Sequence, residues 1–156
     1  MSTLYYSRSA NTRGIRNNNP FNIRKSKSHW LGELCLNSDP DFVIFRNMDF
    51  GVRAGVKLLS NYIRKFKDSV TGVRINTISR IILRFAPNSE NDSERYIDFV
   101  VNSLSTSLHR KFSRDTVITY PSCEFAHLCM AIMIYESQYF VPSEHIYYII
   151  NHFKLY

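Results

Sequence analysis

From Asp49 onward, long amphipathic stretches alternate with short polar breaks. Asp49 reads as an N-cap, and Val52, Val56, Leu59, Ile63 and Phe66 follow at helical spacing, with Leu58 and Tyr62 widening the stripe. Residues 69–76 contain Gly72 and read as a connector. Thr77 then caps a short helix with Ile78, Ile81, Ile82 and Phe85 inward, stopped by Pro87. Residues 88–92 read as a polar loop, with Asn91 and Glu94 spaced as a capping box. Tyr96, Ile97, Val100, Val101 and Leu104 make the next buried face. Residues 105–121 are basic and irregular, with a turn of helix near Arg114. Ser122 opens the most apolar helix, running to about Tyr135, and Ser143 opens a last one with Ile146, Ile149, Ile150 and Phe153 inward.

Before residue 47 the helical period is missing. Residues 32–36 and 41–45 flank Asn37-Ser38-Asp39-Pro40, strong turn chemistry that predicts a short hairpin. Residues 13–24 gather Asn17, Asn18, Asn19 and Asn22 around Pro20, bracketed by arginines. Asn side chains compete with the backbone for hydrogen bonds, and the residue before proline is pushed out of the α region, so this stretch is a loop. Each amide brings two donors and one acceptor oxygen, the inventory that holds a neutral, amide- and hydroxyl-rich ligand such as an N-acetylated sugar. An ordinary surface turn is the plain alternative. Five helices and a small β element predict a mainly α (α+β) fold, a helical globule with a small irregular lobe near the amino end.

The chain has 156 residues, enough for one domain burying about 70% of its unfolded surface. The expected organisation is a flexible arm over residues 1–12 and a single domain over 13–156. Hydrophobic content of 44% with 14% aromatic is globular rather than disordered. The longest apolar run, residues 128–135, is far short of the roughly 20 residues that span a bilayer. Residues 1–12 lack the apolar segment of a secretory signal, so synthesis in a cytoplasm without a signal peptide is expected. The net charge of +7 favours polyanions in general. Its scatter along the chain, with no zinc finger, RNP strand or basic heptad helix, argues against sequence-specific nucleic-acid recognition. Cys35, Cys123 and Cys129 have no metal-ligand spacing and read as structural thiols; neither a metal nor a cofactor is implied.

Residues 17–22, then Trp30-Leu31-Gly32, then residues 41–45, then Gly51-Val52-Arg53-Ala54 opening a helix, are similar in order to the motifs of bacterial glucosaminidases of the lysozyme superfamily. More closely, about residues 13–150 resemble a family of phage- and prophage-encoded proteins with an RGIRNNNPxNIR opening. The further motifs quoted for it are Asp39 or Asp41 with Phe42 and Phe45, Gly51 to Ala54, residues 86–91 with Tyr96-Ile97, and a late helix ending in Glu136. The resemblance implies a lysozyme-like fold and action on peptidoglycan glycan strands, at the cell wall or periplasm or as part of a virion. Members of that family are often known only as virion components. The rival expectation is therefore a non-catalytic virion or secretion-apparatus protein that binds wall glycan or a partner protein. A basic nucleic-acid-associated protein is a third reading.

Cleaving a glycosidic bond needs a carboxylic acid on the leaving oxygen, in a setting that keeps it protonated. In the glucosaminidases that acid ends a helix just before the asparagine loop, yet residues 1–24 contain no Asp or Glu. Residues 128–137 have the form of the missing element, an apolar helix closing on Glu136-Ser137. If it packs where the glucosaminidase helix does, Glu136 faces Asn17 to Asn22 in a permuted order. The plain alternative is an acid ending a core helix at the surface. In the family pattern a glycine follows the acid two places on, where Gln138 stands here. Glu90 is the second carboxylate candidate, beside Asn91 and Tyr96 as substrate contacts; capping and exposure are its plain reading. Trp30 suits a sugar-stacking platform or a core anchor. Arg53 is expected to brace the asparagine loop, and the five histidines carry no pattern. Many lysozyme-like enzymes that release anhydro products work with one acid/base Glu, because the sugar's own groups complete the reaction, so the resemblance implies that a lone Glu136 would suffice.

Overall fold

The computed structural model describes residues 11–156. The secondary structure is mainly helical with one small antiparallel sheet, the α+β class expected. In order it comprises α1 (Arg13–Arg16), β1 (Glu33–Leu34), β2 (Ile44–Phe45), α2 (Met48–Lys65), α3 (Ile78–Phe85), α4 (Ser93–Leu108), α5 (Cys123–Ser137) and α6 (Ser143–His152). The arm expected over residues 1–12 lies, up to residue 10, outside the described residues. The chain divides into two compact units, residues 1–57 with 132–156 and residues 58–131, and the boundary falls inside α2 and α5.

In the first unit the predicted hairpin forms with Glu33 opposite Phe45 and Leu34 opposite Ile44. An isolated bridge between Arg24 and Phe42 ties the asparagine loop's exit to the segment just before β2. Phe21, Val43 and Phe45 are buried here, as are Ile146 and Ile149 of α6. The cap of α2 is Asn47 rather than Asp49: the Phe50 N–H donates to Asn47 Oδ1 at 3.2 Å. β2 ends at Phe45, so the helix starts almost at once, and Asp49 falls in its first turn, 3.0 Å from His145 Nε2.

In the second unit Thr77 caps α3 as predicted, accepting from the Arg80 N–H at 3.3 Å. Ile78, Ile81 and Ile82 are fully buried. For α4 the capping residue is Asp92, which accepts from the Arg95 N–H at 3.1 Å. Asn91 stays in the preceding turn, its N–H donating to Pro87 O at 3.1 Å. α4 continues past its apolar face to Leu108 and stops at His109, which is left-handed with φ 52°. A second set of backbone bonds, Ile78 N–H to Thr116 O (3.2 Å) and Ile118 N–H to Asn76 O (2.8 Å), pins the 105–121 segment to the start of α3.

Residues 125, 126, 128, 129, 131, 132 and 133 of α5 are all buried, the pattern of a helix apolar on every side. Cys129 lies among them, whereas Cys123 in the first turn is exposed and does not pack as the sequence suggested. No helix among the described residues is long and apolar enough to cross a membrane.

Candidate functional site

The loop is built from its asparagines. The stretch expected to be loop from residue 13 opens instead with one helical turn, α1, because Thr12 caps it by accepting from the Ile15 N–H. Asn17 ends it with its N–H on Arg13 O at 3.0 Å. Asn18 and Asn22 then take left-handed conformations, φ 52° and 50°, which asparagine tolerates better than most L-residues. Asn19 is fully buried. Its amide donates to Ile23 O and Val43 O, both at 2.9 Å, and its oxygen accepts from the Ile23 N–H at 3.0 Å. Asn18 donates to Phe45 O at 3.1 Å. Three amides thus commit donors to the protein itself, because Asn17 donates to Asp39 Oδ2 at 2.7 Å.

Asp39 is the anchor of that arrangement. Its carboxylate accepts from Arg13 Nε (2.7 Å) and Nη2 (2.6 Å), from Asn17, and from the backbone N–H groups of Asp41 and Phe42, both at 3.0 Å. Arg13 first, then these further donors, hold the Asp39 carboxyl well below the usual carboxylate range against the opposing effect of burial. Sequence patterning offered Asp39 and Asp41 as equals; only Asp39 is buried, and Asp41 is exposed. The signal that could have separated them is the Asp-Pro-Asp turn, since the first Asp of such a turn accepts from the N–H groups two and three residues on.

Asn22 is the exception among the asparagines. Its amide donates to Glu136 Oε1 at 3.2 Å and to the Glu136 backbone oxygen at 3.1 Å. Asn22 Oδ1 is buried and has no hydrogen-bond partner among the described residues. Glu136 is half-buried, one residue before the end of α5. That end is shaped by Gln138, left-handed at φ 54°, with Gln138 N–H on Ile134 O (2.9 Å) and Tyr139 N–H on Met133 O (3.3 Å). Gln138 therefore adopts a conformation that a glycine would adopt more cheaply.

Two contacts bring the end of α5 to the loop. Thr12 Oγ1 donates to Ser137 O at 2.7 Å, and Ser137 is wholly buried against Gly14. A Cβ on Gly14 would sit 1.8 Å from Ser137 Oγ, so only glycine admits this approach. On the other side Gly51 of α2 meets Asn18 O, where a Cβ would come within 1.9 Å, and Gly55 meets the Phe21 ring. Two glycines of α2 thus support the loop. Arg53, expected to brace it, instead lines a cavity with Trp30.

Trp30 is half-buried in that cavity, to which none of the four loop asparagines contributes. Glu90, Asn91 and Tyr96 belong to the second unit. Glu90 and Asn91 are exposed in the turn after Pro87, and Tyr96 is fully buried on α4. Among the described residues no three His, Cys, Asp or Glu side chains are grouped so as to hold a metal ion.

No protein-family model matches the chain. A comparison with curated proteins finds Protein P5 of Pseudoalteromonas phage PM2, 38% identical over 113 residues, which make up 70% of this chain and 64% of the phage protein. The chain therefore has a homologue encoded by a bacteriophage, and spans somewhat less than two thirds of its length.

Proposed function

We propose that the chain is a peptidoglycan glycan-strand-cleaving enzyme of lysozyme-like fold and phage or mobile-element origin, with Glu136 as its acid and base. One observation carries this reading. A half-buried carboxylate closes the most apolar helix 3.2 Å from the amide of Asn22, in a loop whose other asparagines are occupied with holding its shape. The Asn22 amide donates both to the carboxylate and to the backbone oxygen of the same residue, so it fixes the side chain's direction.

In the proposed reaction the protonated Glu136 carboxyl gives its proton to the glycosidic oxygen as the C–O bond breaks. The carboxylate left behind takes a proton back from the attacking group. With water as attacker the product is a reducing end; with the sugar's own hydroxyl it is an anhydro sugar. Asp39 cannot act as a partner carboxylate, because five N–H donors already occupy its oxygens. The single-acid chemistry of lytic transglycosylases and of related lysozymes suits this arrangement better than paired-carboxylate schemes.

The test compares wild type with Glu136→Gln on purified peptidoglycan. Soluble muropeptides from the first and not the second, at matched melting temperature, are the expected result. Wall binding without turnover by the wild type would replace the enzyme with a non-catalytic virion component.

A further inference from the structure

The cavity beside Trp30 lies on the far flank of α2 from the asparagine loop. Gly51 and Gly55 face the loop, and Arg53 and Lys57 come two positions after each, about 200° around the helix. The cavity has a volume of about 290 Å³ and is lined by Ser28, His29, Trp30, Leu31, Arg53 and Lys57. Its two sides differ in character. One is the half-buried indole and the 53% exposed Leu31; the other is two cationic side chains with no acidic residue in the lining. The nearest carboxylate in sequence, Glu33, is turned away, one oxygen 2.9 Å from His29 Nδ1 and the other accepting the Trp30 N–H at 3.2 Å.

Arg53 is the informative residue. Its Nε is buried without a hydrogen-bond partner among the described residues, and its guanidinium sits over the Phe153 ring at 5.7 Å. A buried N–H of a charged group left unpaired is costly, and burial here lowers the Arg53 pKa. An oxyanion in the cavity would face the guanidinium of Arg53 and the ammonium of Lys57, and its charge would offset the desolvation of Arg53. The cavity of the second unit, lined by Asp68, Arg80 and Arg84, is a weaker case. Asp68 stands in its lining and offsets the charge of Arg84.

We propose that the Trp30–Arg53–Lys57 cavity is a carboxylate-binding site, whose lining does not include Glu136, for a small acid carried on a sugar ring or a branched apolar body. The guanidinium fork and the ammonium take the carboxylate, while Trp30 and Leu31 cover the body. The binding chemistry stands without any role for Glu136. That the acid belongs to a wall muropeptide rests on the reading of the previous subsection.

Trp30 is the chain's one tryptophan, so its emission reports on this cavity directly. N-acetylmuramic acid and N-acetylglucosamine differ only by a carboxylate-bearing ether, and both are titrated against the full chain. The expected result is a saturable change in Trp30 emission with the acid and none with the neutral sugar at equal concentration. Arg53→Gln weakens that response at least about tenfold, and Glu136→Gln leaves it as in wild type. Should Arg53→Gln melt early, Lys57→Gln is read for the same loss. Equal response to both sugars, no response to either, or an unchanged response in a folded Arg53→Gln overturns the site. Displacement of the acid by equimolar inorganic phosphate overturns its assignment to carboxylates.

Discussion

The Asn22 amide lies 3.2 Å from Glu136 Oε1 and 3.1 Å from the Glu136 backbone oxygen, joining positions 114 apart in the chain. One side chain thereby fixes both where α5 ends and how its last carboxylate points. The link also costs strain, because Asn22 is held at φ 50°.

Two substitutions separate the strain from the hydrogen bonds. Asn22→Ala loses both donated bonds and still has to adopt the left-handed conformation, for about 2 kcal/mol of stability. Asn22→Gly loses the bonds alone, for about 1 kcal/mol. Urea unfolding of the two variants measures the difference. On the proposed function, release of muropeptides falls in both, since each removes the Asn22 bonds that orient the Glu136 side chain.

The Asp39 cluster predicts an acid-dependent stability. Its folded-state pKa is depressed, so its contribution is complete above the unfolded value of about 4 and is lost as pH falls below that point. Asp39→Asn removes the contribution at every pH. Melting temperatures of wild type and variant should lie furthest apart near neutrality and converge progressively below about pH 4. A constant gap down to pH 2 would show that the carboxylate's charge contributes nothing.

The glycine contacts predict position-specific intolerance. Gly14→Ala drives a methyl into Ser137, and Gly51→Ala drives one into the Asn18 backbone oxygen, each costing about 3 kcal/mol. Ser137→Gly recovers part of the Gly14→Ala loss, because the hydroxyl and Cβ that the new methyl meets are gone. It does nothing for Gly51→Ala. Calorimetry on the three single variants and the two doubles checks the pairing.

Thiol accessibility gives a fourth test. Cys129 is fully buried and burial pushes its thiol well above the usual range, whereas Cys35 and Cys123 are exposed. Two thiols per chain should react rapidly with an aromatic disulfide reagent in the native state. The third should appear only with denaturant, at the rate of unfolding.

Much of the helical framework was legible because its cause is local. An apolar stripe at 3.6-residue spacing specifies a helix whatever it packs against, which is why α3, α5 and α6 fall within a residue or two of their predicted bounds. Capping was legible only to within a few positions. Asn47 and Asp49, or Asn91 and Asp92, have the same ability to accept an N–H, and the entering backbone chooses between them. The hairpin was legible through Asn37 to Pro40, but the burial of Asp39 rather than Asp41 was not, since it depends on where Arg13 and Asn17 arrive.

Sequence by itself determined the longer helices, the hairpin, the class and the chemical stock: a run of amides near one end, and near the other a carboxylate at the close of an apolar helix. Tertiary structure alone decided how that stock was divided. It spent Asn17, Asn18 and Asn19 on the loop, aimed Asn22 at Glu136, and turned Trp30 toward Arg53. Four identical side chains carry identical local information, so only the acceptors that folding brings within 3 Å or so of each can assign them different work.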